Sequence, residues 1–258
     1  MNDSYEIIPS EEALALIHAR LPKAKRYLAI ARTGNHHFNP YHNLTHELGV
    51  VYWAYACFVN SAPHGEDMMT IIESQYLIPK LIMAGLFHDH NHSGGRDADD
   101  VNVDRAVDFV LTKFGHKNMI DHFGARWSEI RTAIDCTVFV DGKFPVEPQT
   151  FVAKCIRDAD LMSIYTNEGR HLLLGLLDEM KIARPLSPND VDKIVNDTSK
   201  FLFECNMYTT FGQYMQANYL TDAVEAFRHL LTSRMPPGNR SPLGGWPELV
   251  TLTNQQPK

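Results

Sequence analysis

Histidine is concentrated in two short stretches of this chain. NPYHNLTH, residues 39–46, carries His42 and His46, and LFHDHNHSGG, residues 86–95, carries His88, His90 and His92. Each stretch borders an apolar run with helical spacing. Two histidines four apart, on a helix or at its start, project from one face one turn apart. His42 and His46 have that spacing, and so do His88 and His92. Asp89 follows His88 directly and would point about 100° away from it on a helix. Further along, RDADLMS offers Asp158 and Asp160. Asp160, with Ile156 four residues before it and Leu161 after it, can stand at the edge of a buried face, and Asp158 then points away. His46, His88, Asp89 and Asp160 together supply two imidazoles and two carboxylates. That donor set suits a borderline or hard divalent ion that keeps water in its remaining positions. No thiolate is needed. Cys57, Cys136, Cys155 and Cys205 are far apart with no C-x-x-C pair, and are expected as reduced thiols in the core.

The elements that must position these groups read as helices almost throughout. SEEALALIHARL opens with Ser10 as an N-cap. THELGVVYWAYACFV is apolar nearly all round, which predicts a central, buried helix carrying His46. SQYLIPKLIMAGLFHDH is similar, with Pro79 near its first turn and His88 at its end. DVNVDRAVDFVLTKFG is amphipathic and is expected to stop at Gly115. WSEIRTAIDCTVFV and PQTFVAKCIRDADLMSIY follow, joined by DGKFPVEP, a loop with a hairpin-like Asp141-Gly142 and a short strand pair as the alternative. SPNDVDKIVNDTSKFLFECN starts with Ser187 as N-cap and Pro188 at N1. YLTDAVEAFRHLLTSR closes the fold. With no repeat or linker in view, the simplest architecture is one all-α domain over residues 1–234. A Pro- and Gly-rich extended tail follows over 235–258, laid on the surface through Trp246.

Composition limits the function. A hydrophobic share of 44% and a charged share of 21% are those of a globular chain. The formal charge of −7 argues against coating long nucleic acid or an acidic membrane, because such binding rests on Lys and Arg. A small phosphorylated substrate remains compatible, since a bound ion can neutralise it locally. No run reaches the ~20 apolar residues of a membrane span. The acidic N-terminus lacks a signal-peptide core, so a cytoplasmic setting is expected.

The order H…HD…D resembles the HD-domain metal-dependent phosphohydrolase superfamily. PYHNLTHELGV is similar to the YHN-x-x-H-A-x-D-V stretch of class I cyclic nucleotide phosphodiesterases, LFHDHNHSGG to their HD-x-DHPG, and RDADLMS to their ADLS. The likeness spans roughly residues 39–163. Gly49 stands where the family has Asp, and HSGG replaces HPG. The resemblance implies a helical bundle and one or two divalent ions (Mn, Fe, Zn, Ni, Co or Mg). His46, His88, Asp89 and Asp160 would hold the first ion, and Asp89 would bridge to a second. It gives His42 the part of general acid and places His92 beside the bridging water. At the latter position HD-domain nucleotidases often carry glutamate. Phe211 and Gln213 of TTFGQYMQ are the candidates for binding a substrate base. His46 would thus hold metal while His42 stays free to carry a proton. His36 and His37 are expected as solvated loop residues. The implied activity is hydrolysis of a nucleotide or related phosphoester, with cyclic phosphodiesterase, dNTP triphosphohydrolase and 5′-nucleotidase as the alternatives. A non-catalytic nucleotide or metal sensor is the reading from another class. It would be expected to have lost Asp89 or His42.

Overall fold

The computed structural model describes residues 7–34, 39–61, 71–123, 127–182 and 185–235, with side chains for all of these but 71–75, 116–123 and 127. His36, His37 and the tail beyond residue 235, with Trp246, lie outside the described residues. Among the described residues the chain is all-helical. In order it forms α1 (Pro9–Arg20), α2 (Ala24–Gly34), α3 (Leu44–Ser61), α4 (Ile71–Phe87), α5 (Asp99–Phe123), α6 (Trp127–Asp135), α7 (Phe151–Leu161), α8 (Asn167–Glu179), α9 (Pro188–Glu204) and α10 (Thr210–Ser233), with a 3-10 turn at Met162–Tyr165 after α7. None of these helices is long and apolar enough to cross a membrane.

α3 is the axis of the fold and packs chiefly on α7, α4 and α1. Its residues Leu48, Val50, Val51, Trp53, Ala54, Cys57 and Phe58 are buried, as a helix apolar nearly all round requires. The first apolar cluster joins α1–α7. A second joins α8, α9 and α10, and Tyr165 packs against both. The metal candidates therefore arise where α3, α4 and α7 meet at one end of the first cluster.

Several local expectations need correction. Ser10 does not cap α1. It lies inside the helix, and its backbone N–H (2.9 Å) and its hydroxyl both donate to Glu168 on α8. Pro79 sits in the middle of α4, because the helix begins at Ile71 rather than at Ser74. α2 and α8 were not expected as separate helices, and α10 begins nine residues before YLTD. Gly115 does break helical geometry, with φ 59° and ψ 163°, but the chain resumes a helix beyond it. Between α6 and α7 a single antiparallel bridge joins Val140 to Lys143. The Asp141–Gly142 turn closes it, both residues at positive φ as a tight hairpin demands. The capping box of Ser187 with Asp190 starts α9, with Pro188 at its first position.

Candidate metal centre

His46 owes its place to Asn43. The Asn43 side-chain oxygen accepts from the N–H groups of Thr45 (2.9 Å) and His46 (3.3 Å), which makes it the N-cap of α3. Its amide nitrogen donates back to the carbonyls of Asn39 and Pro40. The YHN of the sequence is thus a cap as much as a chemical motif. His88 comes from the other side, one residue past the end of α4. Its Nδ1–H donates to the Gly85 carbonyl at 2.9 Å, which fixes the tautomer and turns the Nε2 lone pair toward His46. The chain does not continue as a helix there. His90 N–H bonds to Phe87, Asn91 takes φ 64°, and His92 N–H bonds to the Asp89 carbonyl. His88 and His92 therefore do not share a helical face, as their spacing predicted; the turn between them sends His92 to the His42 side instead. His42, likewise, precedes the cap and stands off the helix.

The donor atoms converge. His46 Nε2 lies 3.1 Å from Asp89 Oδ2 and 3.2 Å from Asp160 Oδ1. His88 Nε2 lies 3.0 Å and 3.5 Å from the same two oxygens, and the two Nε2 atoms are 3.3 Å apart. Ligand atoms ~2.1 Å from a common ion stand ~3.0 Å apart at right angles and ~3.4 Å apart at tetrahedral angles. The spacing around these side chains is that of a coordination shell. Both imidazoles are 1% exposed, and Asp160 opens to solvent at 19%. Two buried lone pairs and two carboxylates facing one another need a cation between them or protons upon them.

The electrostatics say the same. Burial alone would push His46 down, but hydrogen bonds and charge from Asp160 and Asp89 raise it to about 9. Burial opposes the charge of His88 too, and Asp89 and Asp160 hold it well above its ordinary value. Burial would lift both carboxyls. Charge from His88 and His42, with hydrogen bonds from His46 and His88, instead holds Asp89 well below the carboxylate range. Hydrogen bonds from His46 and His88 do the same for Asp160. Without an ion, protons fill the positive role.

Asp89 also faces a second group. It shares with His42 and His92 a set of ligand atoms within 4.8 Å of one another, so its carboxylate stands between two clusters. The rings of His42 and His92 are stacked, with centroids 3.5 Å apart. Gly94 N–H donates to His92 Nδ1 (3.1 Å), so the neutral ring carries its proton on Nε2, which lies 3.5 Å from Asp99 Oδ1. Asn39 steadies the same loop by donating to the His92 carbonyl at 2.6 Å.

Glu179 is the residue that the sequence did not announce. From the last position of α8, its Oε2 meets His42 Nδ1 at 2.5 Å, while its Oε1 accepts from the N–H groups of Tyr41 (2.8 Å) and His42 (3.1 Å). Burial would raise the Glu179 carboxyl, but the hydrogen bond and charge of His42, with the two backbone donors, hold it below its ordinary value. His42 is thereby aimed through Nε2, and it is 18% exposed. α8 reaches this loop because Gly175 has no side chain. A Cβ there would stand 2.3 Å from the Pro40 carbonyl oxygen. With α8 in place a signal appears that the sequence alone lacked: an acidic residue ending a helix opposes the macrodipole and needs another reason to be there. Tyr41 completes the surround, its ring 4.5 Å from that of His46.

Phe211 and Gln213 are not brought to this centre. Asp158 accepts from the N–H groups of Tyr208 and Thr209 and from the Thr209 hydroxyl (2.7 Å), which pins the start of α10. Asp158 and Asp160 lie about 200° apart around α7, so that start is held on the face turned away from the ligand cluster. The Gln213 amide donates to the Met207 carbonyl (2.9 Å), and Phe211 packs against the first apolar cluster. No protein-family model matches the chain, and no curated protein proved similar to it in sequence.

Proposed function

We propose that this protein is a metal-dependent phosphohydrolase of the HD-domain kind, acting on a nucleotide or related phosphoester. The observation that carries the reading is the position of Asp89, one carboxylate between the His46–His88–Asp160 cluster and the His42–His92 pair. His46, His88, Asp89 and Asp160 would hold one divalent ion, and Asp89 would share a second. Such ions would neutralise phosphate oxygens and make water a nucleophile near neutral pH. The chain's own part is the proton. Glu179 takes up Nδ1 of His42, leaving Nε2 as the atom that holds and passes a proton. As the P–O ester bond breaks, its electron pair goes to the leaving oxygen, which takes that proton. The stacked ring of His92 and the grip of Glu179 limit the directions in which His42 can point.

The surrounding cations favour a monoester or diester over a triphosphate, which needs several free guanidinium or ammonium groups. Of the three arginines near the motifs, Arg105 is committed to Asp97, Asn91 and Asn102, Arg157 to the Cys136 carbonyl, and Arg96 donates through Nε to the Ser93 carbonyl. A pure sensor has no use for a His42–Glu179 pair beside its ion. The deciding experiment is a screen of the purified protein with Mn²⁺, Ni²⁺, Co²⁺ or Mg²⁺ against cyclic nucleotides, nucleoside monophosphates and dNTPs. Metal-dependent turnover that disappears with bound metal in Asp89→Ala is the expected result. Full activity in excess chelator, with metal loss verified, overturns the reading.

A further inference from the structure

Three half-buried phenylalanines beside the metal centre have no part in the scheme above. Phe139 and Phe144 flank the Asp141–Gly142 turn, and Phe201 comes from α9. Their ring centroids are 4.7 Å (Phe139 to Phe144), 5.3 Å (Phe139 to Phe201) and 6.3 Å (Phe144 to Phe201) apart. Phe144 and Phe201 pack on the cluster of α8–α10, but Phe139 belongs to neither apolar cluster. Core packing therefore explains two of the rings and leaves the third.

The group is tied to the metal centre at both ends. Phe139 N–H donates to Asp99 Oδ2 at 2.6 Å, and the other oxygen of Asp99 is the one that faces His92. At the far end the buried guanidinium of Arg157 covers one face of Phe144. Arg157 lies one turn before Asp160 on α7 and feels its charge. The loop itself is clasped by the Tyr208 hydroxyl, which donates to Glu147 at 2.5 Å. An arc from Asp99 through Phe139 and Phe144 to Arg157 thus starts and finishes on neighbours of the metal centre, held at both ends, with the Phe139 ring only partly covered by the other two.

We propose that Phe139, backed by Phe144 and Phe201, is the wall that receives the planar ring of a nucleotide whose phosphate lies at the metal centre. This rests on the phosphohydrolase reading and replaces Phe211 and Gln213 as the seat of the base. A partly exposed ring offers stacking to any base, because every base has a π-face. The cation on the far side of Phe144 fixes that ring's orientation. The three rings bring no hydrogen-bonding group of their own, so the wall selects for a ring over none and discriminates weakly among bases.

The test is equilibrium binding, by calorimetry, of adenosine 5′-monophosphate and of ribose 5-phosphate to the full-length, Mn²⁺-loaded protein. The two ligands share sugar and phosphate and differ in the base. The wild type is expected to prefer the base-carrying ligand by roughly 5- to 150-fold, the worth of one stacked base. Phe139→Ala should bring that ratio close to one while leaving ribose 5-phosphate unchanged, and Phe139→Trp should keep it. Equal affinities in the wild type, binding of neither ligand, or equal losses for both ligands in Phe139→Ala overturn the wall. Should Phe139→Ala not fold, the wild-type ratio with Phe139→Trp decides. Turnover in the phosphoester screen judges the phosphohydrolase reading separately, since it needs no preference for a ring.

Discussion

The smallest unit with a distinct physical signature is the imidazole–carboxylate pair. His42 and Glu179 form one such pair at the edge of the centre, and His46 with Asp160 forms another inside it. They should respond differently to removal. His42→Ala should keep bound metal and lower kcat by about 10²–10⁴ on substrates with alkoxide leaving groups, the usual worth of acid catalysis. The loss should shrink for a p-nitrophenyl ester, whose leaving group needs no proton. Glu179→Gln should lower kcat in the same sense by at least about 10-fold, because the ring loses the acceptor that aims it. Equal losses for both kinds of leaving group would point to positioning alone. The inner pair sets a pH dependence. His46 is raised from 6.5 to about 9, so its contribution to the metal-free fold is complete below about pH 6.5 and is lost as pH rises through 9. Asp160 is depressed from 3.8, so its contribution is present above about pH 4 and lost as pH falls below it. The metal-free protein should therefore be most stable between about pH 4 and 6.5. Ion uptake should release protons and tighten as pH rises toward 9. Melting temperatures in chelator across pH 3–10 and calorimetry in two buffers measure both, and a melting temperature that climbs steadily from pH 5 to 9 in chelator contradicts the assignment.

Helix ends decide where these pairs stand. Asn43→Ala removes the cap of α3 and should cost about 1 kcal/mol of stability, with weaker ion binding because His46 lies in the first turn. Two aspartates two residues apart on α7 should part company completely. Asp158→Ala strands three donors at the start of α10 and should destabilise by roughly 2–4 kcal/mol while folded chains still bind metal. Asp160→Ala should abolish metal binding. Thermal melts with metal analysis of the folded fraction separate the two. This difference was readable from the sequence, since Asp160 sits at the edge of a buried face with Ile156 one turn before it. So were the central α3, the break at Gly115 and the cap of α9, because each depends on residues close in the chain. Glu179 was not readable, since its partner lies 137 residues away and spacing says nothing at that range. Phe211 and Gln213 were chosen by distance along the chain after Asp160, but Asp158 fixes their segment on the other face of the helix. The turn after Phe87 was taken as helix because His88 and His92 have helical spacing. The positive φ of Asn91 ends the helix instead and brings His92 onto His42.

At the scale of the molecule, ion binding would be coupled to folding, because the candidate ligands come from α3, the end of α4 and α7. An ion that binds only the native arrangement should stabilise by about 2.7 kcal/mol at a hundredfold excess over its Kd. A rising melting temperature with added Mn²⁺, lost in His46→Ala, is the expected result, and no shift in the wild type would deny the cluster an ion. The reach of Glu179 back to Tyr41 and His42 has a consequence for a chain made from its N-terminus. The last donor of the ion cluster is residue 160, and the partner of His42 arrives 19 residues later (179 − 160). At ~5–20 residues per second that is an interval of ~1–4 s. During it the emerging polypeptide contains all four candidate donors and lacks the carboxylate that aims His42.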